Sequence, residues 1–260
     1  MKYLLAGLLL LIGSAAWATT PPSNATVFPQ IDDSTSGWGS CTGSGCAGGN
    51  SASTFWMQQN QTTPSLDGAS TQFYVDGPAW TNVLFWNKLG AHDSLTHFQF
   101  DFWVHLDSNS SIIGQAMEFD TFQFVNGREY MFGTQCDYGA GAWEVWNPQG
   151  GAWQKTGVVC PRFTPNVWYH ITWNFHRSPH RNNKNQYYDN FTGVQYDSNN
   201  NVVANSSYSV NLAYGSGPLP SGWNDNMGVQ FQIDLNGQAG VNSNPTTISE
   251  YVDKVTVTAW

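Results

Sequence analysis

The chain has 260 residues and a formal net charge of −9, with nine Lys plus Arg against eighteen Asp plus Glu. So acidic and Lys-poor a chain lacks the basic footprint of a nucleic-acid binder and disfavours polyanionic ligands, which leaves a neutral partner. Only 10% of residues are charged, but 13 Trp, 15 Phe and 11 Tyr supply the apolar area for a large core.

Residues 1–18 read MKYLLAGLLLLIGSAAWA: one Lys, an apolar run from Tyr3 to Ile12, then small residues ending in Ala16-Trp17-Ala18. This is the layout of a secretory signal peptide cut before Thr19, and the apolar run is short for a membrane span. The expectation is a secreted chain with no membrane association after cleavage. Residues 19–60, rich in Gly, Ser, Thr and Pro, are expected to add an N-terminal strand and a disulfide-clamped loop to the same domain. Residues 61–260 then form its body. Four cysteines, Cys41, Cys46, Cys136 and Cys160, imply two disulfides in an exported chain, with three pairings open. The favoured pairing closes the Gly-rich CTGSGC loop through Cys41–Cys46 and ties two neighbouring strands through Cys136–Cys160. Neither Cys nor His shows metal-ligand spacing, so no metal site and no cofactor are expected. A structural calcium held by backbone carbonyls would leave no mark in the sequence.

Alternation with a period of two dominates the body of the chain. In THFQFDFWVHLD, Phe98, Phe100, Phe102, Val104 and Leu106 share one face, with Trp103 and His105 on the other. In VWYHITWNFH, Val167, Tyr169, Ile171, Trp173 and Phe175 oppose Trp168, His170, Asn174 and His176. In GVQFQIDLNG, Val229, Phe231, Ile233 and Leu235 oppose Gln230, Gln232 and Asp234. Turn signals at Asn126, Asn147, Asp197 and Asn236 separate the strands. Many half-buried strands with frequent turns predict an all-β fold, a sandwich of two antiparallel sheets in jelly-roll form.

The polar faces are unusual in carrying Trp103, His105, Trp168, His170, Asn174, Gln230, Gln232 and Asp234. Aromatic rings suit the C–H faces of pyranoses, and amides and carboxylates suit their hydroxyls, so these residues are candidate sugar contacts. Trp143, Trp146 and Trp153, in a Gly-rich hairpin inside the presumed Cys136–Cys160 loop, form a second aromatic candidate. The stretch QAMEFDTFQF places Glu118 and Asp120 on one face about 6.6 Å apart, where mutual repulsion raises a pKa and stores a proton for acid catalysis. Gln123 joins them only if a β-bulge turns it round.

Glu118, Asp120 and Gln123 resemble the E-x-D-x-x-E signature of retaining glycoside hydrolase families 7 and 16, which share the concanavalin A-like lectin/glucanase sandwich. The resemblance implies Glu118 as nucleophile, Asp120 as the assisting acid, and Gln123 where the acid/base stands. A wider likeness, carried by QAMEFDTFQFVNGREYMFGTQCDY, WEVWNPQGGAWQKTGVVCP, VWYHITWNFHR and YVDKVTVTAW, is to a group of exported bacterial proteins and implies the same sandwich. A neutral amide at Gln123 cannot protonate a leaving oxygen, so catalysis would need another acid: Asp101, Asp137, Glu144, Glu129 or, most attractively, Asp234.

The leading expectation is a secreted lectin-like protein that binds a neutral polysaccharide or oligosaccharide on the concave sheet. The alternatives are a glycoside hydrolase with Glu118 as nucleophile and a non-standard acid/base, and an extracellular structural protein with its surface Trp packed at an interface.

Overall fold

The computed structural model describes residues 20–179 and 184–260, so the expected signal peptide lies outside the described residues. In chain order the strands are β1 (Thr26–Phe28), β2 (Trp38–Thr42), β3 (Thr54–Gln61), β4 (Ser70–Asp76), β5 (Asn82–Gly90), β6 (His97–Leu106), β7 (Gly114–Val125) and β8 (Arg128–Asp137). Next come β9 (Ala142–Asn147), β10 (Ala152–Val159), β11 (Trp168–Arg177), β12 (Asn185–Tyr196), β13 (Val202–Gly215), β14 (Gly217–Pro218), β15 (Asn226–Leu235) and β16 (Thr247–Ala259). One sheet runs β13-β12-β11-β6-β16-β4-β3, with β1 beside the end of β16. The other runs β10-β9-β8-β7-β15-β5-β2, with β14 beside β8. All these pairings are antiparallel, and the two sheets pack as a β-sandwich. Instead of one N-terminal strand, β1, β2 and β3 precede residue 62 and enter both sheets.

Period-two alternation decides which side of each strand enters the core. Phe98, Phe100, Phe102 and Val104 of β6, Ile171, Trp173 and Phe175 of β11, and Val229, Phe231 and Ile233 of β15 are all buried in one apolar cluster. Phe231 stacks on Phe73 and lies against Phe100 and Phe102, so the centre of the core is a set of interlocked aromatic rings from both sheets. The β7–β8 hairpin turns at Asn126-Gly127, both at positive φ (53° and 70°), the backbone that a two-residue I′ turn requires. Asp197 accepts the backbone N–H groups of Asn199 and Asn201, which fixes the β12–β13 turn.

Both disulfides form in the favoured pairing, Cys41–Cys46 and Cys136–Cys160. The second does not tie neighbouring strands, because β9 lies between β8, which carries Cys136, and β10, just beyond which Cys160 stands. It therefore fastens the end of a three-strand ribbon rather than one strand pair.

Truncating Phe231→Ala should cost about 3–5 kcal/mol, since the ring is fully buried among rings that cannot collapse into its place. Urea unfolding monitored by tryptophan fluorescence measures it, with a lower midpoint and an unchanged slope expected.

Candidate functional site

On the outer face of the second sheet a cleft of about 560 Å³ lies over β5, β15, β7, β8, β9 and β10. Strand register arranges its floor in rows. The first row crosses Leu84, Gln232, Glu118, Gln135, Glu144 and Lys155. Trp86, Gln230, Asp120 and Gly133 make the second row. A third is formed by Asn82, Asp234, Ala116, Asp137 and Ala142. A side chain at Gly133 would stand 2.8 Å from Cβ of Trp146 and 3.4 Å from both Asp120 Oδ1 and Trp153. Glycine there lets the Trp146–Trp153 pair, ring centroids 5.3 Å apart, lie close beside Asp120. At the other end Cys46 and Ala47, in the loop held by the first disulfide, form part of the wall.

The chemistry centres on Gln232. Its amide donates to Glu118 Oε2 at 2.9 Å and to Asp234 Oδ1 at 3.0 Å, so the two carboxyls stand less than about 6 Å apart. Burial pushes Glu118 well above the usual carboxylate range, and the charges of Asp234 and Asp120 add to it. The hydrogen bond between Glu118 and Asp234 raises the former and lowers the latter, as when Glu118 carries the proton and Asp234 accepts it. Asp234 is pushed up to about 7, chiefly by burial against the hydrogen bonds from Glu118 and Gln232. Burial likewise lifts Asp120 to about 8, although the backbone N–H of Thr134 donates to it at 3.0 Å. Gln135 donates to Glu144 Oε2 at 2.7 Å, and burial raises Glu129, also on the wall, to about 7. The floor is therefore a set of protonatable carboxyls oriented by glutamines.

Of the residues that sequence reasoning marks, Glu118, Asp120, Asp234, Gln230, Gln232 and Trp146 meet in this cleft, as do Trp153, Glu144, Asp137 and Glu129. Gln123 does not. Strand β7 pairs without a register break from Ala116 to Val125 on β8, so no bulge turns Gln123 round. Its side chain points inward, fully buried, donating to the carbonyls of His92 and Leu95 and accepting from Arg177. The cleft-facing position after Asp120 is Phe122, which packs on Phe124 and Trp223. Trp143 also points inward, since it alternates with Glu144, and its ring lies 4.5 Å from Phe191 within the core.

Trp103, His105, Trp168, His170 and Asn174 lie on the outer face of the other sheet, on β6 and β11, and so are no part of the cleft. There they satisfy one another. His170 stacks on Trp103 at 4.5 Å and bonds Asp101 at 2.9 Å, Trp168 packs on His105, and Asn174 bonds Gln99 and Asn190. The first ring pair is stacked face to face, whereas His105 and Trp168 meet at 59°. Asp101 and His170 are likewise remote from Glu118. Gln135 and Asn82 escape sequence reasoning, although the alternation of REYMFGTQCD puts Gln135 on the face of Gly133.

No family model matches the chain and no curated protein matches it in sequence. Solved structures align with most of the chain at low identity. A marine alginate lyase from Aplysia kurodai is 10% identical with a TM-score of 0.49, covering 78% of this chain and 88% of that one. A carbohydrate esterase from Shiga toxin-encoding bacteriophage phi24B is 11% identical with a TM-score of 0.45, covering 90% and 99%. Arcelin-5, a lectin-like defence protein from Phaseolus vulgaris, is 10% identical with a TM-score of 0.42, covering 91% and 98%. No ligand or activity is carried over from them, and the full glycoside hydrolase signature is not found in this chain.

A carboxyl whose folded pKa is raised stabilises the fold below its unfolded value, and that contribution is lost as pH rises through the folded value. With Asp234 raised to about 7 and Asp120 to about 8, stability should fall between about pH 4 and pH 8. Thermal melts across that range should show the slope, and Asp234→Asn should flatten it.

Proposed function

We propose that the cleft binds a neutral glycan. The observation that carries this reading is the composition of the cleft: carboxyls, Gln and Asn side chains and the Trp146–Trp153 pair, with no Lys, Arg or His among its lining residues. Amides and protonated carboxyls offer both donors and acceptors to hydroxyls, and two indoles at one margin offer apolar surface to a sugar ring. An anionic sugar would find no cation there to pair with. Titration calorimetry with neutral gluco-, xylo- and manno-oligosaccharides tests the reading. Trp146→Ala and Gln232→Ala should each weaken binding about tenfold or more, and binding untouched by both would overturn it.

A specific observation favours a second reading, hydrolysis. Burial holds Glu118 well above the usual carboxylate range, and Glu144 lies two strands away in the same row, about 9.6 Å at the usual strand spacing. That backbone spacing stands at the upper edge of the roughly 6.5–9.5 Å carboxyl separation that leaves room for a water between an acid and a base. Glu118 would protonate the leaving oxygen while Glu144 draws a proton from water attacking the opposite face. That reading predicts new reducing ends from a neutral polysaccharide and inversion at the anomeric carbon. Glu118→Gln should lower the rate at least about 100-fold while leaving oligosaccharide binding nearly intact.

A further inference from the structure

A second cavity, of about 350 Å³, lies at one end of the sandwich, where the tips of β7 and β8 in one sheet meet the end of β11 in the other. Strand alternation makes it cationic. Along β8, Glu129 and Met131 line the cleft already described, while Arg128 and Tyr130 turn to this cavity. Along β11 the inward row runs Ile171, Trp173, Phe175 and then Arg177, so a guanidinium stands where the next apolar core residue would. Lys184, just before β12, adds a third cation, and no described lining residue is acidic. Three of the nine Lys and Arg of the chain thus meet at one place, in a protein of formal charge −9.

Neutral groups hold these cations in place. Arg177 is buried; its Nε donates to Gln123 Oε1, its Nη1 to the carbonyl of Ser178 at 3.3 Å, and its Nη2 to the carbonyls of Asp93 and Leu95. Four acceptors for five N–H groups leave one N–H of Nη1 without a partner among the described residues. The ring of Tyr130 lies beside it, its centre 5.4 Å from the guanidinium carbon. Arg128 donates from Nε to Ser216 Oγ at 3.0 Å and from Nη2 to the Ser216 carbonyl, which leaves Nη1 over. The N–H of Ser216 donates in turn to the carbonyl of Lys184 at 2.8 Å, so Arg128 and Lys184 are fixed to each other through one residue. What these cations lack is a counter-charge. Among the described residues both ion pairs join a His to an Asp, and none of the three cations takes part in one. Burial works against the charge on Arg177, with Tyr130 and Asp93 acting the other way, yet Asp93 offers it a carbonyl and not its carboxylate. A buried guanidinium keeps its charge, and that charge is costly until an anion joins it.

We propose that this cavity binds the phosphate or sulfate group of a small ligand, through Nη1 of Arg177, Nη1 of Arg128 and the ammonium of Lys184. Two guanidiniums and an ammonium suit a tetrahedral dianion, whose oxygens accept from several sides, better than a planar carboxylate with a single charge. A volume of about 350 Å³ lies at the lower end for small-molecule sites, so the ligand is a small ester and not a polyanionic chain.

The test titrates the whole chain with sodium phosphate, sodium sulfate and sodium acetate in turn, by calorimetry, with sodium chloride holding the ionic strength and so the screening constant. One saturable site is expected for the dianions, the better of them at least about tenfold tighter than acetate, and that better dianion identifies the group. Arg128→Gln and Lys184→Gln should each weaken it about tenfold. Lys155→Gln removes the same charge from an exposed position on β10 and should leave it unchanged. No saturable binding of either dianion up to about 10 mM overturns the proposal, as does acetate binding within about tenfold of the better one. Binding untouched by Arg128→Gln and Lys184→Gln, or weakened equally by Lys155→Gln, overturns it too, since the latter marks a general charge effect. Should either cavity variant fail to fold, the ranking of the three anions on the native chain decides.

Discussion

Strands β7 and β15 lie side by side near the middle of the second sheet, paired antiparallel from Asn226 with Phe124 to Asp234 with Ala116. That register sets Gln232 opposite Glu118 and Gln230 opposite Asp120, and the same alternation sends Met117, Phe119, Phe231 and Ile233 into the core. A slip of one residue would bury the carboxyls among Phe rings and expose the rings in the cleft. The apolar side of these strands therefore fixes the chemistry of the polar side. The aromatic core holds the backbone in place, and the carboxyls are brought closer together than their charges alone would allow. Gln232 makes the arrangement tolerable by donating to both Glu118 and Asp234, and burial favours the neutral form of Glu118.

The two outer faces show how similar residues serve different ends. On the cleft face, Gly133 leaves space beside Asp120, and Trp146 and Trp153 fill only its margin. On the opposite face no such gap occurs along β6 and β11. His97 stacks between His176 and Trp260, and His176 stacks in turn on Tyr187, so a ladder of rings runs from the end of β16 across β6 and β11 to β12. Cross-strand ring pairs of this kind stabilise a sheet. Functional capacity depends less on which polar and aromatic residues a face carries than on whether they have already paired with one another.

Much of this is legible in the sequence. The apolar rows of β6, β11 and β15 are buried as their alternation demands, and the two disulfides join the expected cysteines, although the second reaches across β9 rather than between neighbouring strands. The Glu118–Asp120 pair and its partner Asp234 also emerge from period-two reasoning, because each lies on the polar side of a long apolar alternation. What stays hidden is sheet membership. Alternation within β6 and β11 shows that Trp103 and His170 point away from the core, but it cannot show that β6 pairs with β16, far along the chain, rather than with β7. The same limit applies to Gln123: a bulge is a relation between two strands, and nothing local in QAMEFDTFQF announces its presence or absence. Trp143 is a different kind of miss, since its alternation with Glu144 and Trp146 already places it on the other face.

The acidity of the chain needs rereading in the light of where its acids sit. A formal charge of −9 counts every carboxyl as ionised. In the fold, Asp120 and Glu250 are raised to about 8 and Asp32, Glu129 and Asp234 to about 7, in each case chiefly by burial, with Glu118 well above its usual range. Glu250 lies in the interior with Oε1 unpartnered, and a charge there would be uncompensated. Burial thus favours the neutral form of each of these carboxyls, and the formal charge overstates the negative charge of the fold. The expectation of no nucleic-acid partner is untouched by this, because it rests on the shortage of cations and not on the number of anions. The cleft floor sets glutamine amides beside carboxyls that burial raises, and so presents hydrogen-bond donors and acceptors side by side.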